Sequence, residues 1–164
     1  MIVEMFGYKK WADECILGAI GCIDRVSFSK PYKFTLQQVN HMVIVEELLK
    51  SRLACEPTPH ESTNTESVPN FEELKNRLQE SGKWYANYIS TLEGKNGQVL
   101  ISFTFADGKH GTMSVNEILF HIINHSSYHR GAIAHALDLA NVAHPADGYG
   151  IYIHEKEPER RKQT

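Results

Sequence analysis

Residues 114–139 read SVNEILFHIINHSSYHRGAIAHALDL, and this stretch decides the fold expected for the chain. Ser114 is followed three residues later by Glu117, which is the spacing of a capping box, so we expect a helix to begin here. Ile118 and Ile122 stand one helical turn apart and indicate that one face of this helix is buried.

Three histidines lie along this helix at intervals of four residues: His121, His125 and His129. Because four residues turn a helix about 40° past a full rotation, the three imidazoles form one stripe beside the apolar face. Imidazoles on such a face are costly unless their nitrogens are satisfied, and a metal ion does this well. The outer Cα atoms are about 12 Å apart, too far for one ion to bind all three side chains. The helix therefore offers a pair, either His121 with His125 or His125 with His129.

A third ligand has to come from another part of the chain. Thr35 and Gln38 form a weaker capping box, which predicts the start of an earlier helix. His41 falls on the apolar arc of that helix, beside Val45 and Leu48. A lone histidine there is usually a core residue that bonds a hydroxyl or carbonyl, but a histidine pair that lacks a third ligand makes His41 a candidate.

The remaining elements follow from spacing and turn residues. Periodic apolar positions predict a first helix over residues 4–26 and a third over residues 70–92, ended by Gly94, with a break at residues 27–33 around Pro31. Alternation around Asp107-Gly108 predicts a β-hairpin over residues 98–115. After residue 139 periodicity is lost, and residues 149–152 are expected to form a short extended piece.

Four helices and one small hairpin predict an all-α fold, a four-helix bundle with the hairpin between helices three and four. Residues 56–69 are rich in proline, serine and threonine, which predicts a crossover loop in which His60 is solvated. We expect a single domain over residues 1–155, followed by a charged C-terminal tail over residues 156–164.

Composition excludes several classes of protein. The chain has 164 residues and a net charge of −3, so it has no electrostatic footprint for nucleic acid or an anionic membrane. No apolar run approaches the roughly 20 residues that span a bilayer. Cys15, Cys22 and Cys55 are odd in number and form no CxxC motif, which favours a reducing cytoplasm. The spacing of Cys15 and Cys22 indicates small core residues.

Motif searches narrow the metal chemistry. No glutamate has a histidine three residues later, which argues against a ferritin-like di-iron bundle, and no HExxH motif is present. His41 with two histidines of the last helix remains as a three-nitrogen site. Three protein ligands leave a coordination position open, as in catalytic zinc sites, although imidazole also suits nickel, copper and iron.

Three stretches resemble the DinB/YfiT-like metalloenzyme family. LFHIINHSSYHRGAIAHAL in the last helix resembles the family's HxxNHxxxHRG signature, which is the specific part of the resemblance. LQQVNHMVIVEELLKSRL resembles its second helix, and YKKWADECIL its first-helix tryptophan motif, with Asp13 where asparagine is commoner. The resemblance covers nearly the whole chain.

The resemblance implies a bundle of up-down-down-up order that is often a homodimer and binds a divalent ion through three histidines. Matched position by position, the ligands are His41, His125 and His129, with His121 as a neighbour of the ligands or a pocket residue. We expect zinc or nickel first, with iron, manganese or copper as alternatives. The residues that would carry out catalysis are not identified.

Family members with assigned activities are mostly thiol-dependent transferases or isomerases. The resemblance therefore implies an enzyme that acts on a small-molecule substrate with a low-molecular-weight thiol. A metal-dependent hydrolase that uses bound water is a close variant. The alternative from another class is a non-catalytic metal-binding or metal-responsive bundle.

Overall fold

The computed structural model describes residues 1–92, 97–105 and 107–161, and this part of the chain is mostly helical. Its elements are five α-helices and one antiparallel pair of strands, in the order α1 Ile2–Gly21, α2 Ser29–Leu53, α3 Phe71–Thr91, β1 Leu100–Thr104, β2 His110–Ser114, α4 Val115–Leu139 and α5 Tyr149–Lys156. A single 3₁₀ turn follows at Pro158–Arg160. Among these residues no helix is long and apolar enough to cross a membrane.

The capping signals at two helix starts are confirmed. The Ser114 hydroxyl accepts from the Glu117 backbone N–H at 3.2 Å, and the Glu117 carboxylate accepts from the Ser114 N–H at 2.7 Å. At the start of α3, the Asn70 side chain accepts from the Glu73 N–H at 3.0 Å. Each contact satisfies a backbone donor that the helix itself leaves free.

Two predicted boundaries differ from the structure. The first helix ends at Gly21, not residue 26, because the Asp24 carboxylate accepts from the Val26 N–H at 3.0 Å and closes a turn. The second helix begins at Ser29, ahead of Pro31. A proline in the first turn is tolerated because its missing N–H has no partner within the helix there. Gly94, the predicted stop of the third helix, lies outside the described residues.

The predicted hairpin is confirmed, and α4 follows it directly. β1 and β2 pair with Ser102 opposite Thr112. In the turn, Gly108 has φ of 81°, a conformation that glycine adopts without a steric penalty. The hairpin is thereby held beside the start of α4.

The segment predicted as extended is a helix instead. α5 covers Tyr149–Lys156, and its Tyr152 ring packs against Tyr8 and Trp11 of α1 at centroid distances of 6.1 and 5.7 Å. Tertiary packing of these aromatic rings decides the conformation of a segment that is too short to show a clear period. Lys156 extends this contact through an ion pair with Glu4 at 2.6 Å.

The four long helices pack in four pairs: α1 with α3, α1 with α4, α2 with α3 and α2 with α4. Their buried side chains form two main apolar clusters. One contains the later half of α1 and α4 and the earlier half of α2 and α3, and the other contains the opposite halves. Between them, polar side chains from all four long helices form a polar layer: Lys9, Asp13, His41, Glu46, Ser81, His125, Ser126, His129 and Arg130.

Candidate metal centre

Three of the predicted site residues meet in this polar layer. His41 projects from α2 and His125 and His129 from α4, and one nitrogen of each lies within 4.8 Å of the others. The Nε2 atom of His125 is 3.1 Å from the Nε2 atoms of both His41 and His129. The chain thus brings three imidazoles together from helices that are distant in sequence.

The spacing of these nitrogens fits a metal ion. Two imidazole nitrogens bound at 2.0–2.1 Å with a tetrahedral angle between them are about 3.3 Å apart, close to the observed separations. The other nitrogens of two rings are already bonded: His41 Nδ1–H donates to the Thr63 carbonyl at 2.8 Å, and His129 Nδ1–H donates to Gln38 Oε1 at 2.7 Å. These bonds direct the Nε2 lone pairs inward, as the outer partners of metal-binding histidines do. The three side chains could therefore hold a metal ion.

The protonation state of these imidazoles also suits a role as metal ligands. Burial, with the neighbouring imidazoles, lowers the pKa of His125 to about 3. Burial and His41 lower the pKa of His129 to about 4. Both rings are neutral at pH 7, so no proton has to leave before a nitrogen donates its lone pair.

Two other histidines considered in the sequence, His121 and His60, lie outside this set of three. The ring of His121 stacks on that of His125, with 5.5 Å between centroids, and lines a neighbouring cavity. His60 was predicted to be solvated, and this is wrong: its Nε2 lies 2.5 Å from the Glu47 carboxylate, which also accepts two bonds from Arg77. These contacts attach the loop after α2 to the helices.

Two cavities flank the three imidazoles, and His41 lines both. The first, of about 480 Å³, is mostly polar and reaches His129. The second, of about 290 Å³, is mostly apolar and reaches His125 and His121. The polar cavity is walled by Gln37, Gln38, Asn40, Asn64, Thr65, Glu66 and Val68. The apolar cavity is walled by Val45, Leu48, Leu49, Arg52, Thr63, Phe103, Phe105 and Met113.

A buried charge network, formed by Lys9, Asp13, Glu46 and Arg130, lies directly beside the imidazoles. Lys9 Nζ contacts Asp13 at 2.5 Å and Glu46 at 2.7 Å, and Arg130 contacts the other oxygen of Asp13 at 2.8 Å. Arg130 also contacts Asp147 at 2.7 Å. Two positive and two negative side chains, each at most 5% exposed, therefore neutralise one another inside the protein.

Burial shifts the pKa values of Lys9 and Glu46, two members of this network, in opposite directions. Burial by itself lowers the pKa of Lys9, but the adjacent Asp13 and Glu46 outweigh this effect and raise it. Burial raises the pKa of Glu46, and Lys9 partly offsets that rise. Lys9 thus remains protonated, and its charge favours the ionised form of Glu46.

The comparison with known families now decides the classification. The model of the DinB family matches residues 1–161. The chain belongs to the DinB family. It is also similar to Protein DinB of Bacillus subtilis strain 168, with 24% identity over 172 aligned positions that cover 96% of each chain. No solved structure matches it.

Inspection of the sequence missed the charge network of this DinB family chain, although one signal was present. Glu46 lies seven residues after Val39 and four after Met42, so the helical period places it on the apolar face of α2. A carboxylate in such a position requires a buried cation. Lys9 could not be assigned as that cation from spacing alone because it comes from another helix.

The cysteines of this DinB family chain are less buried than predicted. Cys15 is half-buried, while Cys22 and Cys55 are exposed, so the expected core position of Cys22 is wrong. Among the described lining residues of the two cavities there is no cysteine.

Proposed function

We propose that this DinB family protein is a metal-dependent enzyme that adds a low-molecular-weight thiol to a small-molecule substrate, as a transferase or an isomerase. The observation that supports this best is the position of the three imidazoles between a polar and an apolar cavity. Such an arrangement leaves room for two reactants. A site that only clamps two helices needs neither cavity.

The chain's own residues would hold the ion and orient it. His41, His125 and His129 are the proposed ligands, and Thr63 and Gln38 fix the rotation of two of the rings. A divalent ion bound there supplies a positive charge that lowers the pKa of a coordinated thiol or water molecule. Zinc and nickel are the first candidates, and iron, manganese and copper also accept imidazole ligands.

The nucleophile is proposed to be an external thiol. Its sulfur loses a proton to solvent and forms a bond to an electrophilic carbon of the substrate, whose leaving group departs with the electron pair of the broken bond. In an isomerase no group of the substrate leaves: the sulfur adds to one carbon of a conjugated double bond, whose π electrons move onto the adjacent carbonyl oxygen. After rotation about the resulting single bond these electrons return, the double bond forms again and the thiolate departs. The polar cavity, with amide side chains of Gln38 and Asn64, suits a polar thiol, and the apolar cavity suits the substrate.

We also propose the order of the helices, the oligomeric state and the cellular location of the protein. The four helix pairs and the two apolar clusters support a four-helix bundle in up-down-down-up order, formed as one domain over residues 1–155. Exposed Phe120, Tyr128 and Leu139 on α4 support a homodimer, which sedimentation at micromolar concentration tests. Three unpaired cysteines support a cytoplasmic location.

Metal analysis of single variants tests the ligand assignment. His41→Ala, His125→Ala and His129→Ala should each weaken zinc binding by more than about 100-fold, because loss of an outer partner alone typically costs 10–100-fold. His144→Ala is the matched control, since that ring bonds Asp138 on the surface. A His41→Ala protein that keeps full zinc occupancy refutes the site.

Titration of the cobalt-substituted protein with small thiols tests the reaction class. A sulfur-to-metal charge-transfer band is expected as the thiol binds. If no thiol changes the spectrum and removal of the metal only lowers the melting temperature, the ion is a structural clamp. If water-dependent cleavage of esters or amides occurs without any thiol, the protein is a hydrolase.

A further inference from the structure

The apolar cavity is a groove along one face of α2. Its helix residues are spaced by three or four: His41, Val45, Leu48, Leu49 and Arg52. Arg52 lies eleven positions after His41, which is just over three full turns, so both lie on the same face about 16 Å apart along the helix axis. The groove thus has the candidate metal centre at one end and a guanidinium at the other.

Arg52 lacks the carboxylate partner that Arg130 and Arg77 have. Arg130 and Arg77 each contact carboxylates at 2.7 Å. In the described part of the chain, no carboxylate lies within 4.0 Å of Arg52, and its Nε atom is buried without a hydrogen-bond partner. Burial lowers the pKa of Arg52, yet a guanidinium remains charged at neutral pH. A half-buried guanidinium without a carboxylate partner can attract an anion.

A structural role explains only part of this arrangement. Arg52 Nη2 donates to the Thr104 carbonyl at 3.0 Å, and the guanidinium lies 4.6 Å from the centre of the Phe103 ring. These contacts join α2 to the hairpin. They use one of the five N–H donors of the side chain, and the buried Nε has no hydrogen-bond partner among the described residues.

The lining residues and the volume of the groove indicate the polarity and size of the rest of the ligand. Valine, leucine, methionine and phenylalanine side chains form the surface between its two ends. Its volume of about 290 Å³ equals the liquid volume of roughly ten water molecules, enough for a compact ligand of about that many non-hydrogen atoms. A ligand with an apolar body and one anionic end would match walls and guanidinium together.

We propose that this groove binds a small carboxylate with an apolar or aromatic body, and that Arg52 binds its carboxylate. The claim that this carboxylate is the enzyme's substrate rests on the proposed function. The claim that the groove binds such a carboxylate does not depend on the metal. Arg52 is then a specificity-determining residue, which places the apolar body of the substrate between the guanidinium and the three imidazoles.

Hydrocinnamate and its neutral amide, hydrocinnamamide, are suitable ligands for the test because they have the same size and differ in charge. Calorimetric titration of the metal-free protein should show the acid binding about 10-fold tighter than the amide, or more. In Arg52→Gln, the acid should lose this advantage while the amide binds as before. Arg52→Lys, which keeps the charge without the planar fork, should retain part of it.

Repeating the titrations with zinc-loaded protein shows whether the Arg52 guanidinium or the metal ion binds the carboxylate. A preference for the acid that persists in Arg52→Gln and occurs only with zinc means that the metal binds the carboxylate, and it overturns the proposal. Equal binding of acid and amide to the parent protein, or no binding of either at millimolar concentration, also overturns it. Thermal melting of both variants establishes that they fold. Full zinc occupancy in His41→Ala would count against the proposed function alone, because this binding test uses the metal-free protein.

Discussion

Replacing Lys9 with methionine removes the cation between two buried carboxylates but keeps most of the side-chain volume. Glu46 is fully buried and would lose its ion pair of 2.7 Å, with only serine hydroxyls left, from Ser81 at 2.5 Å and Ser126 at 3.3 Å. Asp13 would keep Arg130. We therefore expect the carboxyl of Glu46 to take up a proton in the folded variant.

The cost follows from the pKa of this carboxyl in the two states. In the unfolded chain it is near 4.5. If the pKa is higher in the folded state, the free energy of unfolding decreases as the pH rises from the unfolded to the folded pKa. The decrease is about 1.4 kcal/mol for each pH unit in that interval. Because burial already raises the pKa in the parent protein, we expect Lys9→Met to destabilise by about 2–3 kcal/mol at pH 7 and less than about 1 kcal/mol at pH 5.

Denaturant unfolding of the metal-free protein, followed by circular dichroism, measures this difference. The double variant Lys9→Met with Glu46→Gln is the matched control, since a neutral amide can bond both serines and needs no cation. It should recover much of the stability lost at pH 7. If Lys9→Met unfolds like the parent protein, or loses the same amount at pH 5 and pH 8, the reasoning from charge burial is wrong.

Two further predictions concern other contacts. Burial alone would raise the pKa of Glu47, but Arg77 and His60 outweigh it and lower the pKa, so the stability from these contacts is present above about pH 4.5 and is lost as the pH falls through the folded value. Glu47→Gln should therefore cost about 1–2 kcal/mol at pH 7 in denaturant melts, and a cost that is unchanged at pH 3 would contradict this. A Cβ at Gly7 would lie 2.5 Å from the Tyr152 hydroxyl oxygen and 3.6 Å from the ring carbon behind it. Gly7→Ala should thus destabilise the parent protein but stabilise a Tyr152→Phe variant by up to about 1 kcal/mol, and additive effects of the two changes would refute the clash.

Local signals predicted much of the fold. Ser114 with Glu117, and Asn70 with Glu73, mark helix starts because a cap depends on residues three positions apart. The start of α2 was placed too late because Pro31 was read as a break, whereas it occupies the first turn. α5 was missed because the rings of Tyr8 and Trp11, which hold it, come from the other end of the chain.

In the candidate site, too, some residues could be predicted from the sequence and others depend on tertiary packing. The family resemblance in the second and last helices selected His41, His125 and His129 from nine histidines, and the structure places these three together. Their outer partners, Thr63 and Gln38, could not be assigned from spacing, because each contact joins segments that meet only through tertiary packing. The same reason applies to Lys9 with Glu46, and to the cavity that ends at Arg52.

The two outer partners differ in how easily mutation can disturb them. His41 bonds a main-chain oxygen, that of Thr63, and every amino acid supplies this atom. His129 depends on the side chain of Gln38, which few other residues can replace. Residues of the loop that lines both cavities can therefore be substituted without changing the orientation of the His41 ring. New ligand preferences can arise there during evolution while the geometry of the three imidazoles is inherited unchanged.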